Sequence, residues 1–215
     1  ETIAIRYVLC GSSTKNFNKN CADLLAEKTT TTELINDRLD EIGDDIFSSK
    51  LKSVSNKNAT LVLFWLELKR RSEDDKCTEK ELKYTYTLEH IMPQKWQEYW
   101  PITNPVVRDN NNDVIDDEEI AAETRSSAIY EIGNMALLNS KLNTSIRNYD
   151  FKRKMEGEGR KVGVKKYAYL LYTQDVTAHY DKGEIWDETS IRARTKDLTE
   201  EILKLKALQS QICFE

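Results

Sequence analysis

Tyr84-Thr85-Tyr86-Thr87-Leu88 runs directly into Glu89-His90-Ile91-Met92-Pro93. Alternating β-branched and aromatic residues favour a strand. Pro93 has no N–H to give to a ladder, so His90 is expected at the mouth of a turn. A second strand is read over residues 128–132, with Gly133-Asn134 breaking it before the apolar run Met135-Ala136-Leu137-Leu138. Ser140 is expected to cap a helix that continues through Met155 and is stopped by Gly157 and Gly159. Between Trp96 and Ser127 the reading is a long mobile loop with Pro101, Pro105, Asn110-Asn111-Asn112 and an acidic run.

The flanks read as helical. Leu34, Ile35, Leu39 and Ile42 share one helical face, with Thr32 as a partial cap, and Phe47 and Leu51 form an i, i+4 pair. Asn58 or Thr60 is expected to cap a helix through residues 61–68, closed by Lys69, Arg70 and Arg71 at its negative dipole end. Further helices are expected over 167–172 and 191–208, the latter with Leu198, Ile202 and Leu205 as its apolar stripe. Gly11-Ser12-Ser13-Thr14-Lys15 lacks the first glycine and the spacing of a phosphate loop. The fold class is therefore mostly α with a small β-hairpin. Three regions follow: an N-terminal helical region 1–82, a core 83–156 with an acidic loop insertion 97–127, and a C-terminal helical region 157–215.

Composition sets the outer limits. The 215 residues suffice for one large domain or two small ones, and 39% hydrophobic with 32% charged residues is a globular balance. No uncharged apolar stretch of roughly 18 residues occurs, so no membrane span is expected. The chain opens at Glu1 with no basic-then-apolar leader, and is read as a fragment of a soluble protein. Cys10, Cys21, Cys77 and Cys213 are scattered without a C-x-x-C pair, so neither a zinc knuckle nor a disulfide scaffold is suggested, and reduced cysteines in a cytoplasmic protein are expected. A net charge of −5 argues against coating nucleic acid through bulk electrostatics. Locally, residues 141–166 hold nine basic and three acidic side chains, whereas residues 109–123 hold seven acidic and no basic ones. Such a basic run is either a solvated helix face or a phosphate-binding strip, and charge alone leaves both open.

Two histidines are present. His179 reads as an ordinary surface residue. His90 has Glu89 before it, Pro93 after it, and Asn134 and Asn143 nine apart around Leu137-Leu138. Leu88-Glu89-His90-Ile91-Met92-Pro93-Gln94, the segment from Ile132-Gly133-Asn134 to Leu142-Asn143, and Asn148-Tyr149-Asp150-Phe151-Lys152-Arg153-Lys154 together resemble the HNH nuclease domain of GmrSD-type restriction proteins. Residues 6–15 are similar to that family's lead-in segment, and Trp186-Asp187 with Ile191 and Arg194 to its closing helix.

The resemblance implies a ββα-metal finger, a β-hairpin and a helix cupping one divalent cation, with DNA as substrate. It assigns His90 to accept the proton of the attacking water, which suits an imidazole titrating near about 6.5. Asn134 would brace the loop and orient His90. Glu89 and Asn143 would offer hard oxygens to Mg2+ or Mn2+, an ion class that keeps several waters and takes few protein ligands. Lys154 would contact phosphate, with Lys141, Arg147 and Lys152 on the same basic strip. The third motif position is Asn143 rather than histidine, which favours magnesium or manganese over a softer metal, and Glu89 stands where many such domains carry aspartate. The implied partners are DNA, including modified phage DNA, and an N-terminal nucleotide-binding domain or subunit. The alternative is a non-catalytic DNA-binding or helical interaction module with a decayed site.

Overall fold

Thr87–His90 (β1) and Met135–Leu138 (β2) pair antiparallel, with Leu88 opposite Leu137, Glu89 opposite Ala136 and His90 opposite Met135. The computed structural model describes residues 2–11, 16–79, 81–146 and 148–208. Segment 12–15, Arg147 and Cys213 therefore lie outside the described residues.

β2 explains the continuous apolar run: it is buried on both faces. Successive strand residues point to opposite sides. Met135 and Leu137 enter one core with Phe47, Leu51, Val62, Leu63 and Leu66. Ala136 and Leu138 enter a second with Met92, Trp96, Trp100, Trp186 and Ile191.

The first core is built by helices Thr2–Cys10 (α1), Asp44–Leu51 (α5) and Asn56–Glu73 (α6), and by Leu171–Asp181 (α10) and Glu188–Leu208 (α11). Phe17–Leu25 (α2), Thr31–Asn36 (α3) and Leu39–Ile42 (α4) complete the N-terminal region. A small third core there contains Ile3, Tyr7, Leu34, Ile35 and Ile42. The caps differ from those expected. Thr30, not Thr32, caps α3, in a reciprocal capping box with Glu33. Ser55 rather than Asn58 or Thr60 caps α6, accepting from the Asn58 N–H.

Four other expectations are corrected. Residues 128–132 are not a strand: the helix Glu118–Ala128 (α7) ends there, and Ile132–Asn134 form one 3₁₀ turn leading into β2. Gly133 is required by a close approach to α11. A Cβ on it would lie 2.1 Å from the Ile191 carbonyl oxygen and 2.5 Å from Thr195 Oγ1. Gly133→Ala is expected to destabilise the fold by about 1–3 kcal/mol through overpacking, read as a lower midpoint in thermal or urea unfolding.

The single helix expected from Ser140 to Met155 is two, Ser140–Ile146 (α8) and Phe151–Glu156 (α9). Asn139 accepts from the Leu142 N–H at 2.9 Å, and Asp150 restarts the chain by accepting from the Arg153 N–H at 3.0 Å. After α9 the short strands Gly157–Glu158 (β3) and Lys161–Val162 (β4) form a second antiparallel pair. Next come one 3₁₀ turn at Val164–Lys166 and then α10, which starts where the expected 167–172 helix was to end.

The segment read as a mobile loop is tied down. Asp117 caps α7, whose first turn carries Glu118 and Glu119, a favourable placement of acids at a helix N-terminus. Arg125 of α7 donates to the carbonyls of Trp100, Pro101 and Pro105 and pairs with Glu188 of α11, both side chains being buried. Arg192 of α11 donates to the carbonyls of Arg108 and Asp109. Among the described residues no helix is long and apolar enough to cross a membrane.

Candidate active site

The site forms where β1 ends. Lys154 of α9 is fully buried, and its ammonium pairs with Glu89 and donates to the His90 carbonyl at 2.7 Å. This corrects its assignment as a phosphate contact, because a buried ammonium already held by a carboxylate presents no face to a DNA backbone. Burial raises the Glu89 carboxyl above its ordinary range, with the Lys154 charge opposing. Burial also lowers the Lys154 ammonium, Glu89 opposing. Desolvation therefore outweighs mutual attraction on both sides of the pair.

Asn143 reaches β1 from α8. Its Nδ2 donates to the Leu88 carbonyl at 2.8 Å and to Thr87 Oγ1 at 3.1 Å. Thr87 and Glu89 are two apart in a strand and so share a face. Asn143 and the Glu89 side chain, far apart in sequence, thus lie on the same side of β1.

By the same alternation His90 points to the opposite side, towards α6. Nδ1 lies 3.0 Å from the Ile129 carbonyl, and Nε2 lies 3.1 Å from the Asn56 carboxamide. The Ile129 oxygen can only accept, so Nδ1 carries the proton and Nε2 keeps its lone pair. The Asn56 oxygen, on the first residue of α6, faces Nε2 in the structure; opposite an unprotonated Nε2 the carboxamide turns its NH2 end to donate, the two ends being alike in shape. The Tyr130 ring stands edge-on to the imidazole, centroids 6.0 Å apart. Burial lowers the His90 imidazole, with the Ile129 hydrogen bond opposing and the Lys154 charge reinforcing.

Asn134 is fully buried and joins these parts. Its Nδ2 donates to the Met92 carbonyl at 2.8 Å and to the Ile129 carbonyl at 3.1 Å. Its Oδ1 accepts from the Met92 N–H at 2.8 Å and the Trp186 indole at 3.2 Å. The carbonyl that holds the imidazole is thus itself held by Asn134, which also fixes the turn after His90.

The remaining basic residues divide. Lys141 and Lys152 are exposed, whereas Arg153 pairs with Asp150 and Glu158 and Lys165 with Asp181. His179 is less exposed than expected: it pairs with Glu184 at 2.8 Å and packs on Trp186. Asn56 went unrecognised because its sequence context, Ser55-Asn56-Lys57-Asn58, signals only a helix start.

Among the described residues no group of three or more His, Cys, Asp and Glu is placed to hold a metal. A cation here would rest on Glu89, Asn143 and water. The donor chemistry fits: one carboxylate oxygen of Glu89 and the carboxamide oxygen of Asn143 have no hydrogen-bond donor among the described residues, and both are hard ligands of the magnesium type.

No curated protein and no solved structure shows significant similarity to this chain. A protein-family model does match, over residues 37–201: GmrSD restriction endonucleases, C-terminal domain. That span contains β1, β2, α8, α9 and every residue of the site just described. With most of its length matched, the chain belongs to the C-terminal domain family of GmrSD restriction endonucleases, and is a nuclease domain whose substrate is DNA.

Proposed function

We propose that this domain hydrolyses DNA phosphodiesters by HNH-type chemistry, with β1, β2 and α8 as its ββα finger. The observation that carries the reading is the His90 imidazole, fixed at Nδ1 by the Ile129 carbonyl, one residue from the Glu89–Asn143 pair. A neutral ring with its lone pair on Nε2 can take the proton of an attacking water near pH 7. The Asn56 carboxamide occupies that lone pair in the resting protein and gives way to the water. Asn134 keeps the imidazole in register by clamping the Ile129 and Met92 carbonyls. Glu89 and Asn143 would hold Mg2+ or Mn2+, which when bound supplies Lewis-acid stabilisation of charge on the phosphoryl oxygens. Lys154 positions Glu89 between α9 and the end of β1. Family membership further supports a role in restriction of modified, including phage, DNA together with an N-terminal nucleotide-binding domain or subunit.

Plasmid nicking tests the cation. Cleavage is expected to require added magnesium or manganese and to disappear in excess chelator. Asn143→Ala is expected to raise the metal concentration needed for half-maximal rate by about 10-fold or more, the scale of losing one ligand or its support. Undiminished cleavage in chelator would refute the metal-dependent mechanism.

A further inference from the structure

A cavity of about 650 Å3 opens beside α8, on the flank of the site, where that helix packs on the β3–β4 hairpin. Its charged lining consists of Lys141, Arg160 and Lys161, with the hydroxyls of Thr85, Ser140 and Tyr167 between them. The three cations come from two separate places in the chain, the start of α8 and the turn and second strand of the hairpin. Among the described residues no carboxylate lines this cavity. Three other cavities are mixed: one is lined by Asp175, Glu184, Asp197 and Glu201, another by Glu123, Glu131 and Glu200, a third by Asp150, Asp181 and Glu184.

The hairpin that presents Arg160 and Lys161 is held firmly. Gly157 has φ 89°, and a Cβ there would lie 2.2 Å from the Lys161 carbonyl oxygen, so the two arms cross at contact distance. Lys161 Nζ also lies 5.4 Å from the centre of the Tyr149 ring and donates to its hydroxyl at 3.2 Å. The Lys161 ammonium, held in this way, has less freedom to lose when an anion arrives. Thr85 lies two residues before Thr87, to which Asn143 donates, so the cavity adjoins the segment that leads into β1 and shares α8 with Asn143.

We propose that this cavity is a phosphodiester subsite, in which Lys141, Arg160 and Lys161 take a backbone phosphate of the DNA strand neighbouring the scissile one. Spaced cations among hydroxyl donors, without a competing acid, suit a diester anion, and such contacts set register on DNA without reading sequence. The proposal rests on the nuclease reading for its neighbour, but its test does not depend on cleavage.

A fluorescein-labelled 30-base-pair duplex is titrated by anisotropy over a salt series with the wild type, Arg160→Ala/Lys161→Ala and His90→Ala. A control of equal charge change, Lys28→Ala/Lys76→Ala, lies away from the cavity. Arg160→Ala/Lys161→Ala is expected to lower the slope of log affinity against log salt by about 2 and to weaken binding roughly tenfold or more at 0.1 M salt. The control and His90→Ala are expected to keep the wild-type slope, and circular dichroism checks that each variant is folded. Unchanged slope and affinity in Arg160→Ala/Lys161→Ala overturn the subsite, as does absence of salt-dependent duplex binding by the wild type. If the slope falls as expected while no protein cleaves DNA, the subsite stands and the nuclease mechanism fails. If the wild type cleaves and the slope does not fall, the mechanism stands and the subsite fails.

Discussion

His90→Ala is expected to lower the DNA cleavage rate by about 10²–10⁴-fold, the usual contribution of one positioned general base, while the protein melts near the wild-type temperature. At 1.36 kcal/mol per decade this is roughly 3–5 kcal/mol of transition-state stabilisation. The expectation rests on the ring being held: Nδ1 on the Ile129 carbonyl fixes which nitrogen is free, and Asn134 fixes that carbonyl. The pH profile should carry the same signature. Burial lowers the His90 imidazole, so the rate is expected to climb with pH along a limb below about 6.5 and to be flat by neutrality. Stability follows with a definite sign. Just below pH 6.5 the unfolded chain binds a proton at His90 that the folded chain refuses, so this contribution is complete above that pH and is lost as acid is added. A folded His90→Ala protein with full nicking activity would end the assignment of the general base.

Arg125→Met is expected to cost the largest share of stability of any single substitution considered, about 3–5 kcal/mol. Arg125 and Glu188 are both essentially inaccessible to solvent. Removing the guanidinium leaves a carboxylate buried without its counter-charge and three carbonyls, of Trp100, Pro101 and Pro105, without their donor. Because one buried partner without the other is the costly state, Arg125→Met/Glu188→Leu is expected to recover part of the loss. Denaturant unfolding of the two variants checks this. A single substitution no worse than the double would show that the stranded carboxylate is not what costs the energy.

The parts of this fold that were legible in the sequence are those set by neighbours in the chain. Thr87–His90 forms a strand because its alternation and Pro93 are local signals. The second strand, expected at 128–132, forms instead at Met135–Leu138, an apolar run covered on both faces whose type periodicity does not tell. The mostly helical class with one small antiparallel pair was readable from local signals too, whereas the second pair, β3–β4, was not foreseen. What could not be read depends on partners distant in sequence. The acidic run looked like a loop, yet Glu118 and Glu119 sit where a helix dipole welcomes them, and Arg125 anchors the preceding segment through contacts some twenty residues back and with Glu188. Lys154 looked like part of a basic strip, but its charge is consumed 65 residues away on Glu89. Asn56 touches His90 across 34 residues, and nothing near it in the chain hints at this. The break between α8 and α9 was missed although Asp150 is an ordinary cap, because the apolar spacing on either side gave no reason to divide the helix.

A partition wall answers to both rooms, and β2 is such a wall. A change at Leu137 must satisfy the α6 and α10 side, while its neighbour Ala136 answers to the tryptophan-rich side. The β1–β2 pair is therefore not a cassette that could be lifted into another host. A substitution in any of these four apolar residues has to be matched by repacking in the core that its side chain enters.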